Sequence, residues 1–211
     1  GLVVKVTPED FTFFGQFVLV ILMQVGGVGY MSIVTLFFLV MRKNLNIHEK
    51  NMAKDSLNYS SNLDIQSFLK KVFIFTLIIE AIGIVILTLR FYADMSFLKA
   101  LWQGIFHTIA AFNNAGFSMF RDNLVGYQHD FTVLMTVGLL IILGGLGYLV
   151  LVELHHKLSH QKFMLSAHTK ITLWGTLILI VSGMFVFLAI EWDNSGIFAK
   201  LSLDQKLLNS F

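Results

Sequence analysis

Residues 100–118 read ALWQGIFHTIAAFNNAGFS, an apolar segment that continues directly into the polar stretch Asn113 to Ser118. A helix needs about 20 residues to cross a hydrocarbon core, and the apolar part, Ala100 to Phe112, covers only about two thirds of that distance. The segment therefore has to turn back. Irregular backbone at membrane depth must be surrounded by protein or line a water-filled cavity, so we expect a re-entrant helix and polar loop inside a helical bundle, as in an ion filter.

The composition is that of an integral membrane protein. Charged residues make up 13% of the chain and hydrophobic residues 56%, whereas a soluble domain has roughly 25% charged residues. The net charge is only +2, so no nucleic-acid partner is indicated. The absence of cysteine excludes disulfides, thiolate metal sites and cysteine nucleophiles. The chain begins with Gly1 and shows no targeting signal, and we expect it to be part of a longer protein.

Apolar segments bounded by charged residues predict four spans around the re-entrant helix. Two connections, 42–71 and 153–170, hold nine of the 15 Lys and Arg residues, which predicts that both are cytoplasmic and that residues 118–130 lie outside. The predicted spans are the region between Asp10 and Arg42, Val72 to Leu89, Phe131 to Val152, and Ile171 to Ile190.

A glycine-rich pattern occurs twice, as Gln24-Val25-Gly26-Gly27-Val28-Gly29-Tyr30 in the first span and as Ile142-Leu143-Gly144-Gly145-Leu146-Gly147-Tyr148 in the third. The repeat predicts units of span, re-entrant helix and span. Residues 1–64 would end a first unit, 65–156 form a complete second unit, and 157–211 begin a third. Small residues let helices approach closely, so we expect the glycines of both patterns to pack against the pore loop, and a hinge is the alternative. These glycines are Gly26, Gly27, Gly29, Gly144, Gly145 and Gly147.

The polar stretch carries the candidate filter. Gly116 can adopt backbone angles that other residues avoid, which lets successive carbonyl groups turn toward an ion, although a simple turn is the alternative. We expect the side chains of Asn113 and Asn114 to brace the loop. The backbone from Asn113 through Ala115 to Phe117 is the expected ion contact.

Two other polar residues are candidates for supporting this loop. Glu80 lies mid-span, where a lipid-facing carboxylate would be costly, so it should face the bundle interior. Its expected partners are pore-loop amides or hydroxyls, and a cation relay is the alternative. His107 lies on the re-entrant helix and is expected to donate a hydrogen bond in support of the filter, or to be a satisfied interior group.

His155, His156 and His160 suggest comparison with a metal site, because the last two lie one helical turn apart. No second histidine pair or carboxylate cluster completes a two-metal site, and Lys157 and Lys162 intervene. A solvated segment, or one facing a partner or lipid headgroups, is therefore favoured. We expect no transition metal, no covalently bound cofactor and no enzyme activity. A membrane-embedded metalloenzyme and a non-conducting scaffold are the alternatives.

The sequence resembles the Trk/Ktr/HKT superfamily of potassium and sodium transporters. The resemblance rests on both glycine-rich repeats, on Glu80-Ala81-Ile82-Gly83 and above all on the stretch Phe106 to Ser118, and it covers essentially the whole chain. It implies an all-α, K⁺ channel-like membrane fold with four repeated units around one pathway and one filter glycine per unit. Gly116 would be the filter glycine of the second unit and Gly1 that of the first, and residues 206–211 would begin the third pore helix.

The resemblance also implies a function and partners. It implies K⁺ uptake by a multi-pass protein of the plasma membrane, with K⁺ held at the filter. A Na⁺-permeable member of the same family is the alternative, although serine at the first-unit filter position accompanies Na⁺ preference in some members and glycine stands at Gly1. Bacterial members further imply a homodimer on cytoplasmic nucleotide-binding regulatory subunits, which would contact residues 42–71 and 153–170.

Overall fold

The computed structural model describes residues 5–28, 65–159, 164–192 and 202–210. Within these ranges the regular structure is entirely helical, without a strand, as the all-α prediction requires. A 3-10 turn covers Val125–Tyr127. The α-helices are α1 (Thr7–Asp10), α2 (Phe13–Val28), α3 (Ile65–Tyr92), α4 (Phe97–Phe112), α5 (Phe131–Gly145), α6 (Tyr148–Ser159), α7 (Ala167–Glu191) and α8 (Leu203–Ser210).

Within the described residues, two helices are long and apolar enough to cross a membrane. They are the Lys70–Tyr92 part of α3 and the whole of α7, and they contain the spans predicted at residues 72–89 and 171–190. The bent pair formed by α5 and α6 gives a third candidate span if it is counted as one. These features are those of a helical membrane protein. Gly1 and Gly29 lie outside the described residues, and the division into three repeat units stays a prediction.

The predicted third span, Phe131 to Val152, is not one straight helix. α5 ends at Gly145, α6 begins at Tyr148, and the two meet at 102°. Gly147 lies in the break with φ of +87°, a left-handed conformation that side chains with a Cβ rarely adopt. Residues 141–152, which flank the break, include no charged side chain, so hydropathy gave no sign of the bend.

α4 lies at the centre of the described bundle. Its 16 residues extend about 24 Å, less than the roughly 30 Å of a hydrocarbon core. More than half of them are buried, and α2, α3 and α5 all pack against this helix. Apolar clusters fix it on three sides: Val20 and Met23 with Phe106 and Ala110, then Leu87, Phe91 and Val133 with Ala100, and Leu140 with Ala111 and Phe112.

Candidate functional site

α4 ends in a Schellman motif, a hydrogen-bonded turn that stops the helix abruptly. The amide of Ala115 donates to the carbonyl oxygen of Ala110 at 2.9 Å, and the amide of Asn114 donates to that of Ala111 at 3.0 Å. Asn114 takes the left-handed conformation with φ of 53°, which asparagine tolerates better than most residues. The chain therefore leaves the helix sharply and enters residues 113–118, here called the 113–118 segment.

Gly116 gives the 113–118 segment a second left-handed residue, with φ of 72°. Any residue with a Cβ would be strained there. The segment borders a cavity of about 370 Å³ that also touches His107 and Ala110 of α4 and Ile141 of α5. The peptide groups around Gly116 thus lie beside open space rather than in the packed core.

His107 braces the far end of the segment. Its Nδ1 lies 2.8 Å from the carbonyl oxygen of Gln103, so this nitrogen must donate. Its Nε2 accepts from the amide of Met119 at 3.3 Å and lies 3.1 Å from the Ser118 hydroxyl. A neutral ring with the proton on Nδ1 satisfies all of these contacts. The ring stacks on Phe120 at a centroid distance of 4.7 Å, which fixes its orientation.

Asn113 connects the end of α4 to two neighbouring helices. Its Nδ2 donates to Oε1 of Gln24 on α2 at 3.2 Å and to the carbonyl oxygen of Ile109 at 2.9 Å. Gln24 in turn donates from Nε2 to Oε2 of Glu80 on α3 at 2.9 Å. Glu80 is buried, with 4% of its surface exposed. The structure thus brings Asn113 and Glu80 together through Gln24, a residue to which the sequence analysis gave no role.

Two of the candidate glycines lie directly against this region. A Cβ on Gly27 would overlap the amide group of Asn113, and a Cβ on Gly144 would overlap the carbonyl group of Phe112. A Cβ on Gly145 would meet only the Asn114 amide nitrogen at 3.8 Å. By contrast, among the described residues, no atom lies within 4 Å of a Cβ on Gly26 or Gly147.

Tyr148 joins the two glycine-rich repeats. Its hydroxyl donates to the main-chain oxygen of Gly27 at 2.8 Å, which ties the start of α6 to α2. A tyrosine at the end of an apolar span needs a partner for its hydroxyl, and this need is the feature of the sequence that could have identified Tyr148. A glutamine such as Gln24 inside an apolar span carries the same kind of signal.

A charged cluster outside the candidate filter also escaped sequence reasoning. Arg90 at the end of α3 donates to Asp130, the N-cap of α5, and to Asp94 at 2.8 Å. The Tyr127 hydroxyl donates to Asp94 at 3.3 Å. Partial burial is the main cause that raises the pKa of Tyr127 above its ordinary value, and the nearby Asp94 carboxylate raises it further. The cluster fastens the 119–130 connection to α3.

The histidines considered as metal ligands lie elsewhere. Nε2 of His156 is 3.1 Å from the Lys71 ammonium group, and the His155 ring packs on Phe75 at 4.7 Å between centroids. His160 and Lys162 lie outside the described residues. In the part of the chain that the structure describes, no group of three or more His, Cys, Asp or Glu side chains could hold a metal ion.

Apolar helices around a short buried helix with a polar, glycine-containing end define a helical membrane protein. A family model described as a cation transport protein, TrkH, matches residues 1–198. The chain belongs to this family of cation transport proteins, as the sequence resemblance predicted.

The chain is similar over its whole length to curated relatives. It is 35% identical to the Ktr system potassium uptake protein B of Bacillus subtilis (strain 168) and 32% identical to the protein of the same name of Vibrio alginolyticus. It is also 32% identical to the potassium/sodium uptake protein NtpJ of Enterococcus hirae. The matches cover 47%, 46% and 46% of these relatives, so the chain spans about half of their length.

Proposed function

We propose that this chain is part of the pore-forming subunit of a K⁺ uptake system, and that the 113–118 segment supplies one element of its filter. The observation that carries the proposal is the end of α4. A short, buried helix stops at Phe112, and the following backbone turns at Asn114 and Gly116 beside an open cavity. The backbone of Gly116 is the proposed ion contact.

The electrostatics of this end favour a cation. The carboxyl end of an α-helix carries a partial negative charge equivalent to roughly half an electron, which attracts cations. The segment adds main-chain carbonyl groups and no charged side chain. Asn113 and Asn114 use their side-chain amides on protein partners, which leaves the ion to the backbone.

K⁺ is the proposed substrate because two of the three relatives above are named potassium uptake proteins. The third is named a potassium/sodium uptake protein, so a Na⁺-permeable pathway is the alternative. The proposed setting is the plasma membrane, crossed several times.

The proposed partners are a second copy of the pore subunit and a cytoplasmic nucleotide-binding regulatory subunit. The name "Ktr system" given to two of the relatives supports an assembly of several components. The basic connections 42–71 and 153–170 are the proposed contacts for the regulator, since both are predicted to be cytoplasmic.

The experiment is growth complementation of a bacterial strain that lacks its own K⁺ uptake systems. The full-length protein, expressed with a regulatory subunit, should restore growth at low external K⁺. Gly116→Asp should abolish growth, because a residue with a Cβ is strained in the left-handed conformation of Gly116 and the added carboxylate disturbs the segment. Gly126→Asp adds the same charge at a position with open space and should complement. Failure of the native protein at low K⁺, with expression verified, would contradict the proposal.

A further inference from the structure

Three polar side chains meet at the end of α4 in an incomplete ring of hydrogen bonds. Gln24 donates to Oε2 of Glu80, and Asn113 donates to Oε1 of Gln24. The Asn113 side chain also lies close enough to Glu80 to influence its carboxylate. The two oxygens left over, Oε1 of Glu80 and Oδ1 of Asn113, are both buried, and neither receives a hydrogen bond. No hydrogen bond therefore joins Glu80 to Asn113 on the third side of the ring.

The ring has one hydrogen too few when Glu80 is ionised. A ring of three side chains needs three hydrogens, one on each side. Each amide nitrogen carries two hydrogens. Nδ2 of Asn113 directs one to Gln24 and one to the carbonyl oxygen of Ile109, and Nε2 of Gln24 directs one to Glu80, so the ring itself holds two hydrogens. An ionised carboxylate supplies none, because it only accepts.

Exchanging the oxygen and nitrogen positions of the side-chain amides does not supply the missing hydrogen. If the Asn113 amide were reversed, its nitrogen would face Glu80, but its oxygen would then face Oε1 of Gln24 and the carbonyl oxygen of Ile109. Reversing Gln24 as well would move the defect to the side shared with Glu80. In each of these arrangements, one side of the ring lacks a hydrogen while Glu80 is ionised.

No cation of the described chain compensates the carboxylate. Gln24 faces it from α2 and Asn113 from the C-cap of α4, and both are neutral. Tyr148 of α6 lies close enough to interact with it electrostatically, but its hydroxyl proton is committed to the Gly27 oxygen. None of the ion pairs within the described residues involves Glu80. A buried, unpaired carboxylate near the free Oδ1 of Asn113 would cost several kcal/mol.

We propose that Glu80 is a proton-binding site, and that its carboxylic acid donates from Oε1 to Oδ1 of Asn113 and closes the ring. A neutral acid gives the third hydrogen and satisfies both orphaned oxygens. It fastens α3 to the residue from which the 113–118 segment starts. The positioning effect on ion passage rests on the proposed function, whereas the protonation itself does not.

The proposal predicts that glutamine can replace the acid. The Nε2 of Glu80→Gln would donate to Asn113 and its Oε1 would accept from Gln24, so the ring keeps three hydrogens without a titratable group. Its melting temperature should stay within about 2 °C of the native value. Glu80→Leu removes the acceptor of Gln24 Nε2 and the proposed donor to Asn113 Oδ1, so it should lower the melting temperature by more than about 4 °C.

The direct test is infrared spectroscopy of the full-length protein in lipid at neutral pH. The native protein should show the carbonyl stretch of a neutral carboxylic acid, and Glu80→Gln should lose it. The matched control Glu153→Gln should keep the band, since that carboxylate accepts from the Ser166 amide at 2.9 Å. A band unchanged in Glu80→Gln would overturn the proposal, as would a glutamine variant as unstable as the leucine variant. If the band behaves as expected while K⁺ transport fails, the ring stands and the proposed function falls.

Discussion

Gly144 of α5 lies directly against the main-chain carbonyl of Phe112, the last residue of α4, with no room for a Cβ between them. Gly144→Ala should therefore force the end of α4 away from α5. We expect a loss of about 1–3 kcal/mol of unfolding free energy, the usual cost of overpacking, despite the better helix propensity of alanine. Thermal unfolding of the full-length protein in detergent measures it.

Gly175→Ala on α7 is the matched control. No described atom lies within 4 Å of a Cβ at this position, so the gain in helix propensity should leave the melting temperature unchanged or raised. Equal effects of the two substitutions would show that the contact between Gly144 and Phe112 does not constrain the fold.

Tyr148→Phe tests the connection between the two glycine-rich repeats. The substitution removes the hydroxyl that donates to the Gly27 oxygen and keeps the ring. The expected loss is about 0.5–1.5 kcal/mol of unfolding free energy, read from thermal unfolding. Tyr92→Phe, at an exposed position on α3, is the control and should have no effect. A Tyr148→Phe variant as stable as native protein would refute the contribution of this bond.

His107→Ala should loosen the backbone after the 113–118 segment. Without the imidazole, the Met119 amide loses its acceptor and the Ser118 hydroxyl its neighbour. Hydrogen exchange of a peptide containing residues 118–120 should become about ten-fold faster or more, since an unpaired buried donor costs about 1–3 kcal/mol. His107→Gln, whose amide oxygen can accept from Met119, should recover part of the protection. Exchange that stays at the native rate in His107→Ala would exclude the bracing role.

Tyr127 should make stability fall at high pH. Its pKa in the folded protein lies above the ordinary 10.0, so the unfolded chain releases this proton at a lower pH than the folded one. The contribution is complete below pH 10 and is lost as the pH rises through the folded pKa. The tyrosinate absorbance difference between native protein and Tyr127→Phe should titrate above pH 10. A midpoint at or below 10 would contradict the hydrogen bond to Asp94.

Sequence patterns predicted the helices by length and hydropathy but not the bend. α3 and α7 contain the predicted spans, because an uninterrupted apolar run bounded by charges has one solution in a membrane. The sequence offered a hinge at Gly147 only as the alternative to close packing, because the break between α5 and α6 depends on the backbone of that residue and on packing. Neither leaves a trace in hydropathy.

The candidate site was predicted as a set of residues rather than as a geometry. Glu80 and His107 are polar groups in apolar segments and Asn113 directly follows one, so all three must find partners. Which partners they find depends on helices far apart in sequence, such as Gln24 on α2. The two copies of the glycine pattern predicted close packing, but not that Gly27 and Gly144, rather than Gly26, would be the crowded positions.

The measurement that tests the central claim most directly is K⁺ and Na⁺ flux into liposomes containing the purified full-length protein with its regulator. The account predicts that K⁺ flux exceeds Na⁺ flux in the native protein and in Gly126→Asp. In Gly116→Asp, it predicts that the K⁺ flux is abolished or loses its selectivity over Na⁺. Selective K⁺ flux that survives Gly116→Asp at the native rate would place the pathway away from the 113–118 segment and contradict the account.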